Sequence, residues 1–300
     1  MKKWLVALLD CPKCRSGSGL ALKISSSEGD DVTMGSLECP SCRRAYPILD
    51  GIPRFIEQNQ NYSENFGSQW RTFRTVQIDR LAGHTLSETR FLKDTGWLSD
   101  WLRDKLIFDG GAGAGRFADV MAQYGARVVA CDLSSAVEAC RANDGDPRGK
   151  VPNRGEIETV QASLLELPFK HGTFDAIHCA GVIQHIPDPD AAMRAMPSLA
   201  KAGAPIFYNF YEIDPLSKFQ IFKYLMRRVT PNWPFAKIVS FSRWLCRIFF
   251  APSYVMSRIP KVRFFNRFLP ICSTHPVGIA MRQQYDMTLL DTIDWYGPKY

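Results

Sequence analysis

Three stretches of this sequence combine residue types and spacings suited to chemistry. Cys11-Pro12-Lys13-Cys14 and Cys39-Pro40-Ser41-Cys42 are matched knuckles separated by 24 residues. A tight turn in each points two thiolates at one centre, so Cys11, Cys14, Cys39 and Cys42 can complete the tetrahedron that structural Zn²⁺ prefers. A redox dithiol is the competing reading, but two matched pairs favour a closed metal site. Further on, Asp109-Gly110-Gly111-Ala112-Gly113-Ala114-Gly115-Arg116 follows a short apolar run. Glycines at 111, 113 and 115 permit a tight turn and close approach of backbone to a ligand. A dinucleotide fingerprint needs glycine where Arg116 stands, which disfavours NAD and FAD. Asp132 ends a second apolar run, 17 residues after Gly115. A carboxylate there can accept both ribose hydroxyls of an adenosine, with Leu133 near the base; capping the next helix is its plainer use. His185 lies in a loop after a later apolar run, where it can serve as general base or fix the loop by hydrogen bonding.

Elements must hold these groups in place. Residues 105–109, 127–132, 158–161, 173–180 and 205–210 read as buried strands of a parallel sheet, with helices over 116–124 and 190–199. Ligands of such open sheets bind beyond the carboxyl ends of the strands, where the glycine loop, Asp132 and His185 would meet. Phe66, Trp70, Phe73 and Gln77 recur at helical spacing and predict one helix face ahead of the first strand. Between the cysteine knuckles, 20–24 and 32–34 read as strands joined by a polar turn over 25–31. So small a unit has little core, and zinc binding would supply folding energy.

The glycine loop and Asp132, with Thr173-Phe174-Asp175-Ala176-Ile177 and His185-Ile186-Pro187-Asp188-Pro189, resemble the class I methyltransferases dependent on S-adenosyl-L-methionine (SAM), of the small-molecule, quinone and lipid type. That resemblance covers about residues 100–211. It implies SAM as methyl donor and direct displacement by an acceptor atom. It also implies a cofactor site of Asp109, Gly111, Gly113, Gly115, Asp132, Leu133, Ser163, Leu164 and Ala180, with His185 the catalytic candidate. Ser163 stands where the family usually has an Asp for the adenine amino group. Helices before the first strand often fold over the SAM site in this family, and Arg90 is a candidate to reach the cofactor carboxylate. Residues 5–57, the cysteine knuckles followed by Tyr46-Pro47-Ile48-Leu49-Asp50-Gly51-Ile52-Pro53, resemble the zinc-ribbon activator subunit of tRNA and release-factor methyltransferases. In that family the ribbon is a separate protein, so a fused copy implies packing against the catalytic domain and a structural Zn²⁺.

The expected fold class is α/β: a Rossmann-like class I methyltransferase sheet with an N-terminal zinc ribbon and a C-terminal helical basic insertion. The expected divisions are 1–57 ribbon, 58–104 helical cap, 105–214 SAM-binding core, 215–285 basic insertion and 286–300 C-terminal segment. Composition agrees with folded domains, since 46% of the 300 residues are hydrophobic and 22% charged. Cys131, Cys140, Cys179, Cys246 and Cys272 are scattered, which argues against a disulfide scaffold. The apolar run in the first ten residues is too short for a signal peptide, and no stretch predicts a spanning helix, so a cytoplasmic chain is expected.

The net charge of +7 is concentrated: 215–285 holds twelve Lys and Arg and no acid, which leaves 25 basic against 30 acidic residues elsewhere. Leu216, Phe219, Phe222 and Leu225 lie among Lys218, Lys223, Arg227 and Arg228. Ile238, Phe241, Trp244 and Ile248 lie among Lys237, Arg243 and Arg247. Both stretches predict amphipathic helices with cationic faces, suited to a lid over a lipid-linked acceptor, to a plain helical cap, or to peripheral contact with an anionic membrane at the inner surface. Strand four leads into Ala180-Gly181-Val182-Ile183 without an Asn-Pro-Pro-Tyr motif, which disfavours nucleic acid; no segment specifies an oligomeric state. The expected function is SAM-dependent methylation of a small-molecule or lipid-linked acceptor. A catalytically silent binding protein of the same fold and an RNA methyltransferase are the alternatives.

Overall fold

The computed structural model describes residues 1–56, 64–210 and 220–297. They form two compact units, Met1–Phe210 and Tyr211–Tyr300. The first unit begins with an antiparallel sheet in the order β1 (Ala21–Glu28), β2 (Asp31–Glu38), β3 (Ala45–Leu49), β4 (Ile52–Pro53). The polar turn expected over 25–31 is shorter than that. Its serines continue β1 through an irregular register near Ser26, whose hydroxyl pairs with that of Thr33 at 2.7 Å. Gly29, at φ 58°, makes the tight turn instead.

Four short helices follow: α1 (Glu64–Thr72), α2 (Asp79–Ala82), α3 (Leu86–Thr95) and α4 (Ser99–Leu102). Phe66 and Trp70 share a face of α1, but the helix stops at Thr72, so Phe73 and Gln77 lie in the turns beyond it. The β-branched residues Thr72, Thr75 and Val76 disfavour continuation. Arg80 from α2 and Arg154 clasp Asp119 at 2.8 and 3.0 Å, all three side chains at least 93% buried, which pins this cap to the helix carrying Asp119.

The central sheet is parallel, in the order β7 (Ile157–Gln161), β6 (Arg127–Asp132), β5 (Leu106–Gly110), β8 (Ala176–Ala180), β9 (Ile206–Asn209). Crossovers run first to one side of β5 and then to the other, so the switch point lies between β5 and β8. Helices α5 (Arg116–Gln123), α6 (Ala136–Gly145) and α7 (Pro189–Ala195) lie in three of the four crossovers, and the one from β7 to β8 has no helix. Asp188 caps α7 by accepting the Ala191 amide at 2.8 Å, with Pro189 in the first turn. The helix expected over 190–199 changes at Met196 to a 3-10 turn ending at Leu199, because Pro197 has no amide hydrogen to donate.

The ribbon and the sheet share one core. Leu5, Leu9, Val32, Leu37 and Ile48 belong to the same buried cluster as Phe108, Val129, Phe169 and Ile177. Backbone bonds join them at two places: Asp10 N to Pro168 O at 3.0 Å, and Phe55 N to Gln161 O at 2.7 Å.

The second unit is helical: α8 (Ile221–Met226), α9 (Phe235–Ser257) and α10 (Met281–Tyr296). Ile238, Leu245 and Phe250 of α9 are buried, as are Leu290, Ile293 and Tyr296 of α10, and Phe241 meets Tyr296 edge-on at 5.2 Å. Trp244 and Ile248, expected on the apolar face of α9, are instead exposed beside Arg243 and Arg247. Leu216, Lys218 and Phe219 lie outside the described residues. Helix α10 runs unbroken across position 285, so 286–297 continues the preceding segment. Among the described residues no strand follows Asn209, and no helix is long and apolar enough to cross a membrane.

Candidate functional site

The turn after β5 is made by three glycines in the left-handed region, with φ of 72°, 55° and 86° at Gly111, Gly113 and Gly115. A side chain would be strained at each, and at Gly111 and Gly115 it would also collide. A Cβ on Gly111 would come within 2.3 Å of Val182, one on Gly113 within 3.1 Å of the Trp70 indole nitrogen, and one on Gly115 within 2.8 Å of Cys140 Sγ. The glycine turn therefore touches the loop after β8, the cap helix α1 and the helix α6 at once. Leu164 lies beneath it, 3.2 Å from where a Gly110 Cβ would be.

Asp132 closes the adjacent corner. Its Oδ2 accepts the Gly113 amide at 2.9 Å, and its Oδ1 accepts the Ser134 amide and hydroxyl at 2.8 and 2.7 Å. Burial raises its pKa, the bonds from Ser134 and Gly113 oppose that rise, and the charge of Asp109 adds to it. Leu133 is half-buried beside it, and its carbonyl accepts from Gln161 Nε2 at 3.0 Å. Ser163, just past β7, accepts the Leu165 amide on its hydroxyl at 3.2 Å, a local turn that leaves its O–H free to donate elsewhere. Ala180 is half-buried at the end of β8.

Asp109 is buried and accepts from the ring Nδ1 of His178 at 2.7 Å, while its Oδ2 meets no partner. His178 is buried on β8 and stacks on Phe207 with centroids 5.3 Å apart. His185 ends a 3-10 turn in the loop after β8, its ring 5.3 Å from that of Phe66. Arg90 pairs with Asp94 within α3 at 3.2 Å. Gln184, beside His185, carries no signal of its own in the sequence; both ends of its amide are buried without a partner, as is the hydroxyl of Tyr208 on β9. Trp70 was legible as an apolar helix position, but its place over Gly113 depends on how α1 folds back.

These groups fit SAM. Two carboxylates, Asp109 and Asp132, flank the turn, suiting a cation with a hydroxylated ribose and repelling a pyrophosphate. Arg116, the nearest cation in sequence, turns back to the cap, donating to Ser87 Oγ at 2.9 Å. The unpartnered Asp109 Oδ2 and Gln184 amide are buried polar atoms of the kind a bound ligand satisfies.

In the ribbon the four sulfur atoms of Cys11, Cys14, Cys39 and Cys42 lie within 4.8 Å of one another. The Cys11–Cys42 and Cys14–Cys39 separations are 3.6 and 3.5 Å. Sulfurs of a tetrahedral zinc site stand about 3.8 Å apart, so the group is compatible with zinc. The backbone of Cys42 donates to Cys39 Sγ and pulls that thiol down to about 6. Tyr46 supports the cluster with its hydroxyl 3.1 Å from Cys11 Sγ.

The first unit is thus a parallel-sheet domain with a glycine turn after its central strand, joined to a ribbon. Residues 108–207 match the family of the methyltransferase domain, and residues 2–51 match that of Trm112p-like proteins. Among curated relatives, the ubiquinone biosynthesis O-methyltransferase of Xanthomonas campestris pv. campestris is 35% identical over 110 residues, 36% of this chain and 44% of that protein. The protein of the same name from Azotobacter vinelandii is 30% identical over 122 residues, 40% of this chain and 50% of its own. The chain thus spans about half the length, or less, of these relatives. Among solved structures, the complex between the Haloferax volcanii Trm112 methyltransferase activator and a methyltransferase contains a chain 15% identical, with 48% of this chain and 59% of that one covered and a TM-score of 0.38.

Proposed function

We propose that this protein is a SAM-dependent methyltransferase that methylates a small-molecule or lipid-linked acceptor by direct displacement. The observation that carries this is the convergence of the glycine turn, the Asp132 corner and the loop holding Gln184 and His185 at the carboxyl ends of β5, β6 and β8. SAM, when bound, supplies an electrophilic methyl group on a positive sulfur. The chain does the rest. Asp132 accepts the ribose hydroxyls, Leu133, Ser163 and Leu164 line the adenine end, and Asp109, Ala180 and the glycine turn shape the methionine end. His185 takes the proton from the acceptor hydroxyl, and holding donor and acceptor in line is the main catalytic contribution. The relatives named for O-methylation in ubiquinone biosynthesis support an oxygen acceptor on a small or lipid-linked molecule. The ribbon holds one structural Zn²⁺ and packs on the core without entering the chemistry.

The enzyme is cytoplasmic and works at the inner membrane surface. Supporting this, Phe264, Phe265 and Phe268 are 47%, 55% and 42% exposed on one short 3-10 turn beside Lys261 and Arg263, a combination that suits anionic lipid headgroups. Flotation with anionic vesicles, and not with neutral ones, is the expected result.

Incubation of cell extract with methyl-labelled SAM and the enzyme, followed by mass spectrometry, tests the main reading. Label should enter a small or lipid-extractable product. Label in RNA would instead favour an RNA methyltransferase, and cofactor binding without labelled product a silent binding protein.

A further inference from the structure

Gln161 ends β7 and is 3% exposed, paired in register with Asp132 on one side. On its other side its carbonyl accepts the Phe55 amide from the ribbon. Its side chain spans the same gap. Oε1 accepts from Arg54 Nη1 at 2.7 Å, and Nε2 donates to the Leu133 carbonyl at 3.0 Å. Arg54 also reaches Glu138 in the first turn of α6, with Nη2 3.5 Å from Oε1. Leu133 lies between Asp132 and that helix, so both contacts bear on the corner assigned to adenosine.

A carboxamide has one accepting and one donating end, so only one of its two orientations satisfies the guanidinium and the carbonyl together. A charged donor on Oε1 selects that orientation and polarises the amide, which strengthens the bond from Nε2. We propose that Arg54 of the ribbon and Gln161 of β7 act as positioning residues for the adenosine end of SAM, making cofactor affinity depend on a ribbon side chain. This rests on the SAM-binding reading above.

Gln161→Glu separates the two ends of the relay. It keeps an oxygen for Arg54 but sets the other against the Leu133 carbonyl, so the ribbon stays docked while the corner loses its donor. The test is calorimetry of the full-length zinc-loaded protein with S-adenosylhomocysteine and with 5′-methylthioadenosine, which lacks the amino-acid end. Gln161→Glu and Arg54→Ala should each weaken both ligands about five- to tenfold, the effect of one lost hydrogen bond. Hydrogen exchange over residues 45–56 should be unchanged in Gln161→Glu, and Arg54→Lys should recover part of the affinity. Glu156→Ala is the control, since it removes a ribbon contact at the far end of β7, the 2.9 Å bond from Trp4 Nε1; it should leave both affinities within twofold. The relay is overturned if the wild type binds S-adenosylhomocysteine and both relay variants match it, if the loss spares 5′-methylthioadenosine, or if Glu156→Ala weakens binding equally. A wild type that binds neither ligand overturns the SAM reading itself.

Discussion

Asp132 and Gly113 are joined by a 2.9 Å bond from the glycine amide to the carboxylate, so one side chain fixes both the corner after β6 and the turn after β5. With Ser134 donating twice more, this carboxylate accepts three bonds before any ligand arrives. One of its four lone-pair sites, on Oδ2, stays open for a ribose hydroxyl, and a second hydroxyl would have to displace the bond from Ser134 Oγ.

Asp132→Asn should therefore weaken S-adenosylhomocysteine about ten- to a hundredfold by calorimetry, since it replaces charge-assisted acceptance by a neutral amide that must also turn a donor toward a donor. The pH dependence has a definite sign. Burial raises the Asp132 pKa, so the folded protein holds this proton at pH values where the unfolded chain has released it. The group's contribution to stability thus falls as pH rises from the unfolded to the folded pKa. Ligand affinity moves the other way, declining as pH falls through the raised Asp132 pKa.

The clasp of Arg80 and Arg154 on Asp119 is a different kind of dependence. Both guanidinium groups are buried, and Arg154 finds a second carboxylate in Asp144 at 2.7 Å. Removing the shared acceptor in Asp119→Ala leaves Arg80 with the backbone carbonyls of Asn143, Asp146 and Arg148 but takes away the carboxylate that balances its charge. A loss of about 3–5 kcal/mol in urea unfolding is expected, as for other broken buried ion pairs. A loss below about 1 kcal/mol would mean that the cap is held chiefly by its apolar contacts.

At the ribbon, the Tyr46 hydroxyl donates to Cys11 Sγ at 3.1 Å, and burial, with the thiol beside it, keeps that phenol protonated. Outer partners of this kind tune metal affinity by about ten- to a hundredfold when removed. Tyr46→Phe should bind zinc at least about tenfold more weakly in chelator competition while retaining one ion per chain at saturation. Ribbon and sheet share a core, so chelation should also lower the unfolding temperature of the sheet.

Much of this architecture was written in local patterns. Residues 127–132 form β6 as the apolar run ending in Asp132 implies, and the glycine turn begins directly after the first strand. What stayed hidden depended on contacts distant in sequence. The serines after Ile24 look like a loop until β2 gives them partners, and the helix started by Phe66 and Trp70 ends where β-branched residues outweigh apolar spacing. Nothing near Arg54 in the sequence announces Gln161, 107 positions away. The buried amide of Gln184 is equally silent, because a glutamine beside His185 reads as a solvated loop residue until the fold closes around it.

His185 is where those two kinds of information meet. Its ring is half-buried against Phe66, so the cap helix and the loop after β8 define its position together. As a general base it should contribute about a hundredfold or more to transfer, whereas a residue that only fixes the loop would change donor binding as well. His185→Ala should cut methyl transfer about a hundredfold while S-adenosylhomocysteine binds within twofold of the wild type. Phe66→Ala should produce a smaller loss of the same kind, since the imidazole stays but is less well held. Equal losses in transfer and donor affinity for His185→Ala would assign the ring to the loop, and the proton would then have to leave the acceptor by another route, for which the unpartnered Tyr208 hydroxyl on β9 is the next group to test.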